Sequence, residues 1–231
     1  STATRIRDFI ETLSPDDLFT TRDLLSFGTR ASVDNSVSKM VKRQEIIRII
    51  PGVFALPSRR KTITLLELAQ IKARSFDREL IAHARDLAID LGMLPDKRSP
   101  LQMWFATGGR TSSFLFGQTR IHFKSVCSRR MQLGDTPHGQ VARALCYLGC
   151  KLVAGTHLNG ATRNLSNTEL AKFGKCGSLL PAWLYTLLRP LAEAGETGAN
   201  DRFVREFRHA AKDTSVDYDP ASLDFLIPYT K

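Results

Sequence analysis

A predicted helix over residues 32–43 carries side chains that suit contact with DNA. Asparagine and serine can hydrogen-bond to base edges, while lysine and arginine can neutralise phosphates. Residues of these types share one face of the helix: Ser32, Asn35, Ser36, Lys39, Lys42 and Arg43. Apolar residues occupy the opposite face at helical spacing: Val33, Val37, Met40 and Val41. The pattern predicts a DNA-recognition helix, although any surface helix also has a polar face.

A predicted β-hairpin follows this helix and adds further cations. The apolar runs 46–50 and 53–56 flank a Pro-Gly dipeptide at 51–52, which is typical of a tight turn. Positive side chains in and directly after the hairpin are expected to contact the phosphate backbone. These predicted phosphate contacts are Arg48, Arg59, Arg60 and Lys61.

The residues before the recognition helix predict the elements that must position it. Apolar residues at helical spacing between Ile6 and Leu13 indicate a first helix. Residues 14–17, Ser-Pro-Asp-Asp, resemble a helix start, and Thr20 with Asp23 resembles an acidic capping box. Gly28 is expected to end the short second helix through left-handed backbone. Helix, short helix, helix and hairpin together predict a winged helix-turn-helix over residues 1–60.

The distribution of charge supports an anionic partner. The chain has 231 residues and a formal net charge of +10. Two zones hold the excess, with net charges of +4 over residues 1–62 and +6 over residues 108–151, and the rest of the chain is balanced. Two separate basic zones favour a polyanion-binding surface, with a solvated basic face as the simpler alternative.

Two stretches of sequence resemble a known family. The first spans residues 19–57 and reads FTTRDLLSFGTRASVDNSVSKMVKRQEIIRIIPGVFALP. It resembles the N-terminal winged-helix domain of the AbiEi family of type IV toxin–antitoxin antitoxins. The second spans residues 103–130 and reads MWFATGGRTSSFLFGQTRIHFKSVCSRR. It is similar to the strand-rich centre of AbiEi-like C-terminal domains, and ALCYLG and LPAW segments follow it. The similarity covers most of residues 18–188.

The resemblance implies a function and two partners. AbiEi-like proteins act as antitoxins against a nucleotidyltransferase-like toxin encoded beside them, and they repress their own operon through the N-terminal domain. The expected partners are therefore double-stranded promoter DNA and the cognate toxin. Residues 80–98 and the tail after Gly195 match no motif of the family.

The remainder of the chain predicts a second domain of mixed structure. Residues 62–94 are expected to be helical and to end at Gly92. Short β-prone runs follow at 103–107, 113–116 and 119–123, and helices are expected over 141–148, 167–173 and 181–191. The predicted class is α+β, with a winged helix-turn-helix over residues 1–60 and a larger α+β interaction domain over residues 62–231.

A glycine-rich segment over residues 107–113 resembles a phosphate cradle only weakly. It lacks the Gly-Lys-Thr ending of a P-loop, and a predicted strand rather than a helix follows it, so a hairpin turn is the favoured interpretation. Cations nonetheless recur along this region and are predicted to form a second basic surface for DNA or for an acidic partner. They are Arg110, Arg120, Lys124, Arg129 and Arg130.

The sequence offers little that suggests enzymatic chemistry. It contains no Gly-x-Ser-x-Gly elbow and no His-Glu-x-x-His motif, so we expect no enzyme, no cofactor and no catalytic residues. Cys146 and Cys150 are four residues apart on one predicted helix, but buried free cysteines explain this spacing better than a metal site. The irregular cysteine spacing and short apolar runs predict a cytoplasmic protein without a membrane partner.

Three functions of different kinds remain open from the sequence. The leading hypothesis is a DNA-binding antitoxin that represses its own operon. The alternative is a stand-alone winged-helix regulator whose second domain dimerises or binds a ligand. A third is an accessory protein for nucleic-acid processing that uses the second basic zone.

Overall fold

A computed structural model of the chain describes residues 1–197. The helices are α1 (Thr2–Glu11), α2 (Arg30–Lys42), α3 (Leu65–Arg74), α4 (Ala84–Asp90), α5 (Ser128–Gln132), α6 (Pro137–Leu148), α7 (Gly155–Thr162), α8 (Asn167–Lys175) and α9 (Ala182–Thr197), with a 3₁₀ helix at Arg22–Phe27. The strands are β1 (Leu18–Thr20), β2 (Ile47–Ile50), β3 (Val53–Ala55), β4 (Leu80–Ala82), β5 (Gln102–Thr107), β6 (Ser112–Phe116) and β7 (Thr119–Ser125). The α+β class predicted from the sequence is confirmed.

The chain forms two compact units. Unit 1 comprises Ser1–Leu80, Pro100–Met103 and Gly109–Phe123. Unit 2 comprises Ile81–Ser99, Trp104–Gly108 and the described residues from Lys124 onward. The first unit therefore continues beyond the boundary expected at residues 60–62. The predicted domain 62–231 also includes residues 198–231, which lie outside the described part of the chain.

Unit 1 contains the winged helix-turn-helix. Strands β1, β3 and β2 form an antiparallel sheet in that order, with Phe19 opposite Phe54. The 3₁₀ helix and α2 lie between β1 and the β2–β3 hairpin, whose Pro-Gly turn places Gly52 at φ +81°. Glycine adopts this φ without strain, which allows the tight turn between the two strands. The hairpin therefore forms at the Pro-Gly dipeptide, as the sequence predicts.

The core of this winged helix is formed by α1, β1, the 3₁₀ helix, α2 and β3. Its buried apolar side chains include Ile6 of α1, Phe19 of β1, Leu24 of the 3₁₀ helix, Val37 of α2 and Phe54 of β3. Each is at most 2% exposed. This continuous burial fixes the orientation of α2, because its apolar face must stay in contact with α1 and the sheet.

Two local expectations at the start of unit 1 are wrong. Residues 14–17 form a turn rather than a helix start, and β1 follows them. Gly28 has φ 172°, which is extended backbone rather than the left-handed conformation expected of it. A Cβ at Gly28 would lie 2.7 Å from the Thr2 hydroxyl oxygen, so close packing against α1 is the reason for a glycine there.

The capping box predicted for the second helix is present. The Asp23 carboxylate accepts from the Thr20 backbone N–H at 2.7 Å, and the Asp23 N–H donates to the Thr20 hydroxyl at 3.4 Å. The helix that follows is of the 3₁₀ type and is only six residues long. The reciprocal contact therefore starts a tight helix of about two turns that leads into α2.

Helix α3 extends unit 1 past the predicted boundary. Thr64 caps the helix by accepting from the Glu67 N–H at 3.1 Å, and Leu68 is fully buried. The Lys72 ammonium donates to the carbonyl of Pro51, in the turn of the wing, at 2.7 Å. The pKa of Lys72 is lowered by its burial. These contacts attach α3 to the winged helix, and residues 62–80 consequently do not belong to a separate second domain.

A second sheet has the strand order β4-β5-β7-β6. Residues 80–82 form its edge strand β4, so the continuous helix expected over residues 62–94 is wrong. Strand β7 lies between β5 and β6, which means that the glycine-rich segment crosses over β7. The interpretation of that segment as a hairpin turn is therefore also wrong. The hairpin joins β6 to β7 through Gly117, at φ +57°.

Unit 2 has its own helical core. Buried side chains of α4, α6, α8 and α9 meet there, among them Ala88, Leu145, Phe173 and Leu188. Each of these four is fully buried. Helix α6 begins with Pro137 in its first turn and ends at Gly149, which has φ +80°. No helix within residues 1–197 is long and apolar enough to cross a membrane.

Candidate nucleic-acid interface

Both ends of helix α2 are closed by hydrogen bonds from nearby residues in the chain. The Thr29 hydroxyl accepts from the Ser32 N–H at 3.3 Å and so caps the N-terminus. At the other end, the Glu45 N–H donates to the Met40 carbonyl at 3.0 Å, and Gln44 has φ +60°. This closing geometry satisfies carbonyls that would otherwise lack partners, and it turns the chain into β2.

The outward face of α2 is polar and exposed. Val33, Val37 and Met40 are buried at 2% exposure or less. At 100° per residue, the direction opposite these three is occupied by Ala31, Asn35, Ser38, Lys39 and Lys42, all of which are exposed. Ser38 was missed by the sequence reasoning, although the angular position of the apolar residues could have identified it. An amide, a hydroxyl and two ammonium groups therefore share this face.

Ser32 and Ser36 are placed differently from the prediction. The Ser32 hydroxyl is 3.0 Å from the Thr2 hydroxyl of α1, and the Ser36 hydroxyl donates to the Ser32 carbonyl at 2.8 Å. Both residues are half-buried on the flank of α2. Because their hydroxyls already have partners within the protein, these serines support the helix and are poorly placed to contact bases.

Three cations near the end of α2 point away from the core. The side chains of Lys39 and Lys42 are exposed and form no ion pair with any residue in the range 1–197. Arg43 is also exposed and lies 3.8 Å from the Glu45 carboxylate. That carboxylate is held at 2.9 Å by Arg7, and its pKa is lowered mainly by this contact. The longer Arg43 contact leaves its guanidinium able to turn toward another anion.

Arg48 lies at the base of the wing. Its side chain is exposed, with Cζ 5.7 Å from the centroid of the Phe54 ring, which limits the orientations of the guanidinium. A surface cleft of about 480 Å³ is lined by Arg48 together with Val41 and Gln44 at the end of α2. The predicted recognition helix and the predicted wing cation thus face one surface depression.

Arg59 does not serve the predicted role. Its side chain is 5% exposed, and its Nη2 donates to both carboxylate oxygens of Glu67 in α3 at 2.9 Å. The guanidinium also donates to the Asp16 carbonyl. A side chain so enclosed cannot reach a phosphate, and the prediction that Arg59 contacts phosphate is therefore wrong. Arg59 instead holds the segment after the wing against α3.

Arg60 and Lys61 remain available for an external anion. Their side chains are exposed and form no ion pair with another residue of the described part. Their backbone N–H groups both donate to the Asp16 carboxylate at 3.0 Å. These two bonds lower the pKa of Asp16. The segment is therefore fixed through its backbone while its cationic side chains extend outward.

The second basic surface predicted from the sequence is divided between the two units. Arg110 and Arg120 are exposed residues of unit 1, and the Arg120 Nη1 is 3.4 Å from the Ser113 hydroxyl. Lys124, Arg129 and Arg130 belong to unit 2. Lys124 and Arg130 line a cavity, whereas Arg129 is exposed.

Residues with metal-binding or nucleophilic chemistry are scattered. Within residues 1–197, no three His, Cys, Asp or Glu side chains are grouped as a metal site would require. Cys150 lies beyond the end of α6, so it does not share a helix face with Cys146 as the sequence suggested. The His138 ring contacts the Glu169 carboxylate at 2.7 Å and joins α6 to α8.

In comparisons with known proteins, no family model matches this chain, and no significant match occurs among the curated proteins.

Proposed function

We propose that this protein binds double-stranded DNA through α2 and the wing and acts as a transcriptional repressor of the antitoxin type. One observation carries the proposal: the exposed face formed by Asn35, Ser38, Lys39 and Lys42, opposite the buried apolar face of α2. A helix of this kind fits the DNA major groove, which is wide enough to admit it.

The chemistry of this face matches the edges of base pairs. The Asn35 amide has one donor and one acceptor group in a plane, which suits paired hydrogen bonds to adenine. The hydroxyl of Ser38, one turn further along, can donate to or accept from a neighbouring base. Ser32 and Ser36 are not expected to contact bases, because their hydroxyls bond within the protein.

The cations around this face suit the phosphate backbone. Lys39 and Lys42 lie at the C-terminal half of α2, and Arg48 shares a surface cleft with the end of that helix. Arg60 and Lys61 project from the segment after the wing. Contacts of this type fix the register of a protein on DNA without reading its sequence.

The antitoxin part of the proposal rests on the resemblance to AbiEi-like proteins. It assigns the neutralisation of a nucleotidyltransferase-like toxin to the second half of the chain. The alternative is a stand-alone winged-helix regulator, and a cavity within unit 2 favours this candidate because a ligand-binding module would require one.

Co-expression of the full chain with the adjacent gene product would separate the two functions. The readouts are growth of the host and the activity of a reporter driven by the promoter of the operon. An antitoxin should restore growth and repress the reporter, and Asn35→Ala should reduce repression while leaving growth unchanged. Growth that is not restored by wild type, together with intact repression, would favour the stand-alone regulator. Absence of repression and of promoter binding in vitro would contradict the DNA-binding proposal.

A further inference from the structure

Unit 2 contains a cavity, partly open to solvent, that the proposed DNA-binding function does not use. Its volume is about 380 Å³, and the described residues that line it all belong to unit 2. Part of its wall is apolar and comes from Ile81 of β4, Ala106 of β5 and Val126 after β7. Cavities of this volume are large enough to enclose a small organic molecule.

Three cations line the same cavity. Lys124 lies in β7, Arg130 in α5 and Arg143 in α6, so three separate elements bring positive charge to one place. No carboxylate is among the described lining residues. The Asp135 carboxylate pairs with Arg143 although it is not a lining residue, so the positive charge that favours an anionic occupant is that of Lys124 and Arg130.

Arg143 is a built part of this cavity. The residue is 2% exposed, and its Nη1 donates to the Ala82 carbonyl at 2.7 Å while its Nη2 pairs with the Asp135 carboxylate. Asp135 also accepts from the Ala82 N–H at 3.1 Å. These contacts lock Arg143 in place, so the cavity wall is preorganised and does not depend on a flexible surface chain.

Arg130 is the cation best placed to bind something further. It is half-buried and forms no ion pair with any residue between 1 and 197. It lies close enough to Cys146 for its charge to favour the thiolate, yet burial dominates and raises the pKa of Cys146 to about 11. The cavity thus presents a neutral thiol and an arginine that has no carboxylate partner among residues 1–197.

His83 adds a neutral polar group at the wall. Its Nδ1 accepts from the Arg85 N–H at 3.3 Å, so the neutral ring carries its proton on Nε2. The centroid of the His83 ring lies 6.1 Å from the centroid of the Tyr147 ring, and Tyr147 also lines the cavity. An aromatic surface, a neutral imidazole and guanidinium groups together suit an anion that has a planar apolar body.

We propose that this cavity binds a small organic anion that has one carboxylate, sulfonate or phosphate group on an apolar or aromatic body. Arg130 and Lys124 hold the anionic group, and the apolar wall with Tyr147 covers the body of the ligand. Arg143 maintains the shape of the wall. The proposal does not depend on DNA binding by unit 1, and it gives unit 2 the role of a ligand-binding module.

A pair of fluorescent probes tests both halves of this ligand. 8-Anilinonaphthalene-1-sulfonate carries a sulfonate on an aromatic body, and N-phenyl-1-naphthylamine is its uncharged counterpart. Titration of the full chain should give one saturable site for the sulfonate probe. Arg130→Gln should weaken that site by about tenfold or more, because a charge-assisted hydrogen bond is lost. The same variant should leave the affinity for the uncharged probe within about twofold.

Arg129→Gln is the matched control for charge, because Arg129 is the adjacent residue of α5, is exposed and does not line the cavity. It should change the affinity for the sulfonate by less than about twofold. If Arg129→Gln and Arg130→Gln weakened the affinity for the sulfonate probe equally, the proposal would be overturned. The probe would then respond to positive charge on the protein surface in general and not to the cavity. The lack of a saturable site in the folded wild type would overturn it as well.

A second pair of variants tests the cavity by filling it. Cys127 is an exposed lining residue just before α5, so a larger side chain there can enter the cavity without displacing the core. Cys127→Trp should abolish binding of both probes, and Cys150→Trp, at an exposed cysteine that does not line the cavity, should abolish neither. Retention of both affinities in a folded Cys127→Trp variant would place the probes elsewhere and contradict the proposal.

Discussion

Arg59 and Glu67 form a salt bridge in which one guanidinium nitrogen contacts both carboxylate oxygens at 2.9 Å. Arg59 immediately follows the wing and Glu67 lies in the first turn of α3. The arginine side chain is 5% exposed and the glutamate side chain 28%. An arginine that the sequence predicts to bind phosphate is therefore part of the internal structure of unit 1.

Replacement of this arginine should affect stability more than DNA binding. Arg59→Ala is expected to lower the free energy of unfolding by about 2–3 kcal/mol, below the full value for a buried pair because Glu67 can regain water. Urea denaturation measures the change. Arg60→Ala, at the adjacent exposed residue, should stay within about 0.5 kcal/mol of wild type. Equal stability of Arg59→Ala and wild type would contradict this assignment.

The inward hydrogen bonds of the serines in α2 predict a contrast between two neighbouring positions. Asn35→Ala should weaken promoter binding by about 1–3 kcal/mol and relax the preference at one base pair. Ser36→Ala should change promoter affinity little, because the Ser36 hydroxyl bonds to the Ser32 carbonyl. Fluorescence anisotropy with promoter variants measures both effects. Equal losses for the two variants would show that α2 contacts the groove through a different face.

Exposed cations should determine how strongly binding depends on salt. Each of Lys39→Gln, Lys42→Gln and Arg48→Gln is expected to reduce the slope of log affinity against log salt by about 0.9, as one phosphate contact is lost. The measurement is a titration of DNA at several salt concentrations. Arg22→Gln is a suitable control, since Arg22 is paired with Asp77 and bonds to the Ser75 carbonyl. Slopes identical to wild type in all three variants would place this face away from DNA.

Burial of His83 predicts a loss of stability in mild acid. The pKa of His83 is lowered from 6.5 to about 4, chiefly by burial and also by the charges of Arg85, Lys124 and Arg143. Between these values the unfolded chain binds a proton that the folded chain does not, so stability falls as the pH decreases from about 6.5 to 4. The expected loss from this group is about 2–4 kcal/mol.

The variant His83→Asn isolates this effect. Asparagine keeps an acceptor for the Arg85 N–H at the start of α4 but does not titrate. Unfolding free energies measured from pH 7 to 4 should therefore decline less steeply in the variant than in wild type. Parallel pH profiles would show that the neutral form of His83 is not favoured by the fold.

Features that depend on neighbouring residues in the chain were predictable from the sequence. The apolar spacing of α2 fixed which side of that helix is buried, since residues one turn apart share a face. The Pro-Gly turn of the wing and the Thr20–Asp23 capping contact are likewise local. Periodicity and turn chemistry act over a few residues, and so they can be read without knowledge of the fold.

Tertiary packing decided the features that involve distant residues. Arg59 became internal because α3 brings Glu67 beside it and β1 is preceded by Asp16. Ser32 is turned inward because α1 places the Thr2 hydroxyl 3.0 Å away. Residues 80–82 form a strand despite their helical spacing, because an open sheet edge there offers hydrogen bonds to the backbone. The sequence contains several possible partners for each charged or polar side chain. Only the tertiary structure determines which of them lies within hydrogen-bonding distance.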